Sequence, residues 1–210
     1  MTNKEILIFV EGPSDRFFLE VYLLYLYFQE KFPIKNFKVQ NVDGKGNLSK
    51  RLLEIEKYDK TLIIFDTDKD HESNKKEILK IVSKTKQIIS EEQIFLFPNN
   101  QDDGDLETLL LEIAKHEEFI NCFESYLDCI KKKEHYKPIK NIRKNMLYAY
   151  LEAFGLEDLD TKKNIFDTEG KVKDQYKGDY EKLQEVIGFD SKPLVPLKKF
   201  LERFVENNQK

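Results

Sequence analysis

The chain has 210 residues, 40% of them hydrophobic with 16 phenylalanines, and a formal net charge of −4. That composition supports a sizeable core in one domain, or a main domain with an appendage, and excludes both a disordered chain and a uniformly basic nucleic-acid binder. No run of about 18 apolar residues is available for a membrane span, and the first residues lack the basic, apolar, small-residue order of a signal peptide, so the expected setting is the cytoplasm. Cys122 and Cys129 lie seven apart in an expected helix, about 10 Å along its axis and too far for a disulfide. They read as small core hydrophobes in a reducing compartment.

In chain order, "EILIFV" (5 to 10) is a short apolar run of the kind buried on both faces of a sheet. A helix is expected after Pro13, with Ser14 as its N-cap and Phe17, Phe18, Val21, Leu24, Tyr25 and Phe28 at helical spacing. "NFKVQNV" (36 to 42) reads as a second strand, "LSKRLLEIEKY" (48 to 58) as a short helix and "KTLIIF" (60 to 65) as a third strand. "NKKEILKIVSKTKQII" (74 to 89) returns to the helical period, and "QIFLF" (93 to 97) is a fourth strand. Such alternation implies a parallel sheet with helices on its faces, and right-handed crossovers bring the C-terminal ends of the strands to one edge. Beyond residue 115 the pattern is mostly helical: 117 to 130, 145 to 154, then a polar, charged connection over 155 to 180 expected to be mobile, and two closing helical stretches. Phe119, Cys122, Phe123, Tyr126, Cys129 and Ile130 share a helical stripe expected to face the core.

Carboxylates follow the strands. Glu11 comes after the first, Asp43 after the second, Asp66, Asp68 and Asp70 after the third, and Asp102, Asp103, Asp105 and Glu107 after the fourth. Open α/β sheets bind ligands outside these ends. Like charges packed there need a proton or a cation between them, and an all-oxygen set without matching Cys or His points to Mg²⁺ or Mn²⁺ rather than zinc.

"VEGPSD" after the first strand and "DTD" after the third resemble the two signatures of the TOPRIM domain, shared by topoisomerases, bacterial primases, small ribonucleases and the overcoming-lysogenisation-defect (OLD) nucleases. "GDLE" (104 to 107) resembles the acidic motif of the OLD branch, and "KNMLYAYL" (144 to 151) and "FDSKPLVPLKKFL" (189 to 201) are similar to the tail of an uncharacterised bacterial TOPRIM-like family. The resemblance implies a Rossmannoid α/β domain over residues 1–115 with a four-stranded parallel sheet, and a helical C-terminal extension over 116–210 packed on it. It implies catalytic or metal-binding roles for Glu11, Asp66 and Asp68, with Asp105 and Glu107 completing a second metal site. Lys144 corresponds to a lysine beside the scissile phosphate, a role that Lys140 or Arg143 could also fill. A metal pair about 4 Å apart suits in-line phosphoryl displacement on DNA or RNA.

Each position also has a structural reading. Asp15, Asp105 and Glu107 suit helix first turns, while Asp43 and Asp70 suit solvated loops. Glu11 and Asp66 stand directly at the ends of buried strands, where a carboxylate has little local purpose. "DGKGN" (43 to 47) reads as a turn that lets the chain approach the site. No GxxxxGK[ST] occurs, so the chain carries no recognisable ATPase. The segment 131 to 144 holds seven Lys/Arg against one Glu, and Lys131, Lys132, Lys133, Lys137, Lys140 and Arg143 are its candidate nucleic-acid contacts. The histidines are scattered, against both zinc and a Ser-His-Asp arrangement.

The leading expectation is therefore a Mg²⁺- or Mn²⁺-dependent nuclease. The alternative is a non-catalytic metal- or nucleic-acid-binding regulatory module, working with a separate ATPase, another protein partner or a second copy of itself. A phosphatase with Asp66 as nucleophile is disfavoured, because the DxD lies on the third strand rather than the first. Topoisomerase and primase activities lack their accompanying domains.

Overall fold

The computed structural model describes residues 5–33, 37–156 and 173–206. Four strands, β1 (Ile6–Val10), β2 (Phe37–Asn41), β3 (Lys60–Asp66) and β4 (Ile94–Phe97), form one parallel sheet in the order β2-β1-β3-β4. The expected parallel, helix-flanked α/β sheet is thus the observed one. Central β1 is buried at every position, whereas edge strand β2 is half exposed, as continuous and interrupted apolar runs require.

Alternate residues feed two cores. Ile6, Ile8 and Val10 meet α1 (Pro13–Glu30) through Phe18, Leu19 and Tyr22. Leu7 and Phe9 join Ile55 of α2 (Leu52–Ile55) and Ile78 and Val82 of α3 (His71–Val82) on the other face. The first core also takes in α4 (Leu106–Glu112), α6 (Ile142–Ala153), α7 (Lys177–Val186) and α8 (Val195–Glu206), through Leu109, Leu147, Tyr150, Leu183, Leu197 and Phe200 among others. The C-terminal helices therefore share the sheet's own core. The Tyr150 hydroxyl donates to the Val186 carbonyl at 2.7 Å, and Gly188 N–H to the Ile113 carbonyl at 2.8 Å, tying α6 and α7 to the end of α4.

Several local expectations change. The N-cap of α1 is Gly12 with Pro13 in the first turn, so Ser14 is already helical. The second helix is only one turn, preceded by a 3₁₀ segment over Lys45–Lys50. Asp70 is no idle loop charge: its side chain accepts the Ser73 N–H at 3.1 Å and caps α3 three residues before the expected start. That helix stops at Val82 rather than Ile89, where Ser83 and Thr85 hydroxyls bond the Lys80, Val82 and Gln87 carbonyls and offer the chain a tight turn instead.

The stripe on α5 (Glu117–Lys131) does not enter the core. Leu127 is its buried residue, while Phe119, Cys122, Tyr126 and Cys129 are exposed and Phe123 and Ile130 half-buried. The helix packs against α6, whose Leu147 and Tyr150 line the first core, so its amphipathic periodicity is satisfied mainly by that helix, while Ile120, outside the stripe, packs against the core. Residues 157–172 of the connection expected to be mobile lie outside the described residues.

Candidate functional site

The strand order moves outward from β1 to β2 and then back across to β3, so the chain reverses between β1 and β3. At such a switch point the two adjoining loops part and leave a crevice beyond the strand ends. Glu11 follows β1 and Asp66 ends β3, one on each side of it.

Glu11 is held by the loop after β2. Its backbone carbonyl accepts the Gly44 N–H at 2.9 Å, and its Oε1 accepts the Lys45 N–H at 3.3 Å. Its other oxygen, Oε2, is buried without a hydrogen-bond partner. Burial raises the proton affinity of Glu11, opposed by the Lys45 N–H and reinforced by the charge of Asp68.

Asp66 is held by α4, whose Leu106 N–H donates to Oδ1 at 2.9 Å. Burial pushes its pKa to about 9, with the charges of Asp15, Glu107 and Glu11 adding to the effect. Asp15, in the first turn of α1, is 8% exposed and accepts the Gly12 N–H at 2.7 Å through Oδ2. Burial lifts it to about 7, and Glu107 and Glu11 contribute. Glu107 is raised as well, first by burial and then by Asp105, with Lys144 and Arg143 acting against both. These acids feel one another across elements far apart in sequence. One flank of the group is dry: Ser14 and Glu107 border an apolar cavity of about 60 Å³ walled by Phe17, Leu110, Leu147 and Leu151.

The remaining expected members stand differently. Asp68 is exposed with φ of 55°, its N–H bonded to the Gly104 carbonyl at 2.7 Å. Asp105 is the N-cap of α4: Oδ1 accepts the Thr108 N–H at 2.8 Å. The Arg143 guanidinium closes on both its oxygens, Nε at 3.2 Å from each and Nη2 at 3.0 Å from Oδ2. Burial pushes Asp105 up, but these hydrogen bonds outweigh it and leave the carboxyl below its usual range. Its lone pairs are thus committed within the chain. Lys144 lies with its ammonium 5.5 Å from the centre of the Tyr148 ring, and its charge reaches Glu107.

The candidate nucleic-acid contacts Lys131, Lys132, Lys133, Lys137, Lys140 and Arg143 are all exposed. They run from the end of α5 to the start of α6, where Arg143 meets the carboxylate edge; Lys131 is paired with Asp128 at 3.3 Å.

All-oxygen donors, mutual repulsion and the partnerless Oε2 of Glu11 fit a hard divalent cation in their chemistry. In the arrangement described, no three Asp, Glu, His or Cys side chains among the described residues converge closely enough to hold one. Sequence reasoning treated Asp15 as a helix-end residue; the signal for more was its position three after Gly12, from which its carboxylate reaches back to the Gly12 N–H, next to Glu11 in the chain.

Among the described residues, no helix is long and apolar enough to cross a membrane. No curated protein matches the chain. A solved structure, the C-terminal region of the Burkholderia pseudomallei OLD protein, is similar over 98% of each chain with 12% identity and a TM-score of 0.48. That likeness assigns no role to any residue. Residues 5–206 match a family described as "Protein of unknown function (DUF3226)", and the chain belongs to that family.

Proposed function

We propose that the protein is a Mg²⁺- or Mn²⁺-dependent phosphodiesterase of the TOPRIM type that acts on DNA or RNA. The observation that carries this reading is the grouping of Glu11, Asp15, Asp66 and Glu107 along the switch-point edge, where burial raises every one of them and the charges of Glu11 and Glu107 add to the rise at Asp15 and Asp66. A fold stabilised only by burial and hydrogen bonds has no use for four such groups together. The "VEGPSD" and "DTD" motifs support the same assignment from sequence.

Glu11, Asp66 and Glu107 would hold the cation, with Asp15 beside them and Asp68 reaching in from the exposed turn. When bound, the cation supplies Lewis acidity and a water of lowered pKa for attack on phosphorus. In the balanced reaction, the water oxygen bonds to phosphorus, one P–O ester bond breaks and the leaving oxygen takes a proton. Lys144 provides positive charge next to Glu107, and Arg143 keeps Asp105 from adding another free carboxylate. Exposed lysines over 131 to 140 lead a polyanion towards an otherwise acidic edge.

Purified protein incubated with labelled single- and double-stranded DNA and RNA in Mn²⁺ tests the reading. Second-sphere changes alone typically cost about 10- to 100-fold in metal enzymes, so Glu11→Gln and Asp66→Asn are expected to cost at least about 100-fold. Unchanged cleavage in both variants overturns it.

The alternative, a non-catalytic binding module, is favoured by one observation: the acidic side chains do not share a coordination point as placed. Calorimetry separates the two, since Mn²⁺ binding without cleavage of any of the four nucleic acids supports the module.

A further inference from the structure

We propose that Lys45, in the loop after β2, is a phosphate-binding residue of the carboxylate site and marks where the nucleic-acid backbone crosses the β1–β2 side of the crevice. This rests on the reading of the site as one that takes a polynucleotide.

The loop is fixed to the site rather than free beside it. Val42 N–H bonds the Val10 carbonyl and Gly44 N–H the Glu11 carbonyl, each at 2.9 Å, and Lys45 N–H reaches Glu11 Oε1 at 3.3 Å. The lysine backbone is therefore positioned by the acid that stands first in the site.

Neighbouring cations have internal partners. Arg51 pairs with Glu54 at 2.9 Å and Asp43 at 3.6 Å, and the Lys50 ammonium donates to Asn47 at 2.7 Å. Lys45 is half-buried, and its charge acts on Glu11 at the site itself rather than on a partner away from it.

Gly46 adds an independent reason. A Cβ built there meets nothing within 4 Å, and its backbone is outside the left-handed region, so neither packing nor conformation calls for glycine. Glycine in such a place costs conformational entropy without a return to the fold, and close approach by another molecule is a standard use for it. Lys144 and Arg143 supply positive charge on the α4–α6 side, next to Glu107 and Asp105. Lys45 supplies it on the opposite side, next to Glu11. A phosphate chain passing between them would have a cation on each flank of the acids.

The test measures binding of fluorescein-labelled 12-nucleotide single-stranded DNA and RNA by anisotropy, in Ca²⁺ and without metal, from 50 to 200 mM salt. Removing one charge-assisted contact should weaken binding by Lys45→Ala about 10-fold and reduce the slope of log K against log salt by about 0.7. Lys45→Arg should restore both. Gly46→Val should weaken binding while keeping the parent's slope, since it adds bulk and removes no charge. Thermal melting should be unchanged in all three, and Mn²⁺ affinity by calorimetry should be unchanged in Lys45→Arg and Gly46→Val. Parent-like affinity and slope in Lys45→Ala overturn the assignment of Lys45 while leaving the site's function standing. A parent protein that binds no strand under any of these conditions overturns both.

Discussion

Arg143 holds Asp105 through both carboxylate oxygens, at 3.0 to 3.2 Å, and so fastens the start of α6 to the start of α4. Two elements that meet at the carboxylate edge are thereby locked together. The pair decides which acids remain available: Asp105 is spoken for, while the charge of Glu107, two residues later, acts on Asp66 and Asp15.

Asp105 should therefore behave as a cap rather than a metal ligand. Asp105→Ala removes the bond to Thr108 N–H and the Arg143 pair, and an N-cap loss costs about 1–2 kcal/mol. For a chain of this size that lowers the melting temperature by about 2 to 8 °C. Mn²⁺ affinity measured by calorimetry should stay within about twofold of the parent. A large loss of Mn²⁺ affinity with unchanged melting would return Asp105 to the ligand set.

Asp15 and Asp66 predict an unusual pH dependence in the metal-free protein. Folded values of about 7 and about 9 stand above the ordinary 3.8, so the native state holds protons that the unfolded chain releases. Their contribution to stability is fully present below the unfolded pKa and is lost as pH rises through the folded values. Melting should consequently fall between pH 5.5 and 8.5, with Asp66→Asn showing a shallower decline and a higher melting temperature at pH 8.5. Mn²⁺ should stabilise the parent more at pH 8.5 than at 5.5, because cation and proton compete for the same oxygens. A parent and an Asp66→Asn variant with identical pH profiles would refute the coupling.

Much of this arrangement was legible in the sequence, and the reason is the sheet. A buried parallel strand must be a continuous apolar run, so "ILIFV", "TLIIF" and "IFLF" announced themselves, and the residue after each run had to lie at the ligand-binding edge. Side-chain commitments were not legible. Asp105 and Glu107 look alike in "GDLE", and only the fold reveals that Arg143, 38 residues further on, claims the first. Nor could periodicity tell whether the apolar side of α5 meets the core or α6, because both impose the same 3.6-residue repeat.

The α5 correction has a direct chemical consequence. Cys122 and Cys129 are exposed on the native protein, so both thiols should react with a water-soluble disulfide reagent without denaturant. Absorbance should report two thiols per chain, at rates comparable to those in urea. Reaction only after unfolding would place the stripe back in an interior.

Gly104 offers the most specific test of how the edge is built. Its φ of +152° is unfavourable for any side chain, and a Cβ there would sit 3.0 Å from Pro98 Cδ and 3.1 Å from Thr108 Oγ1. The first neighbour belongs to the turn after β4, and the second is the partner of Asp105 in capping α4. The Gly104 carbonyl also accepts the Asp68 N–H at 2.7 Å, holding the turn that carries Asp68. Gly104→Ala should thus cost about 1–3 kcal/mol in stability through backbone strain. It should also weaken Mn²⁺ binding, by displacing the α4 start that donates Leu106 N–H to Asp66 and the turn that presents Asp68. Gly46→Ala is the control: with open space and an ordinary backbone, it should melt at or slightly above the parent temperature. Equal melting and equal Mn²⁺ affinity in parent and Gly104→Ala would show that the turn after β4 does not set the position of these acids.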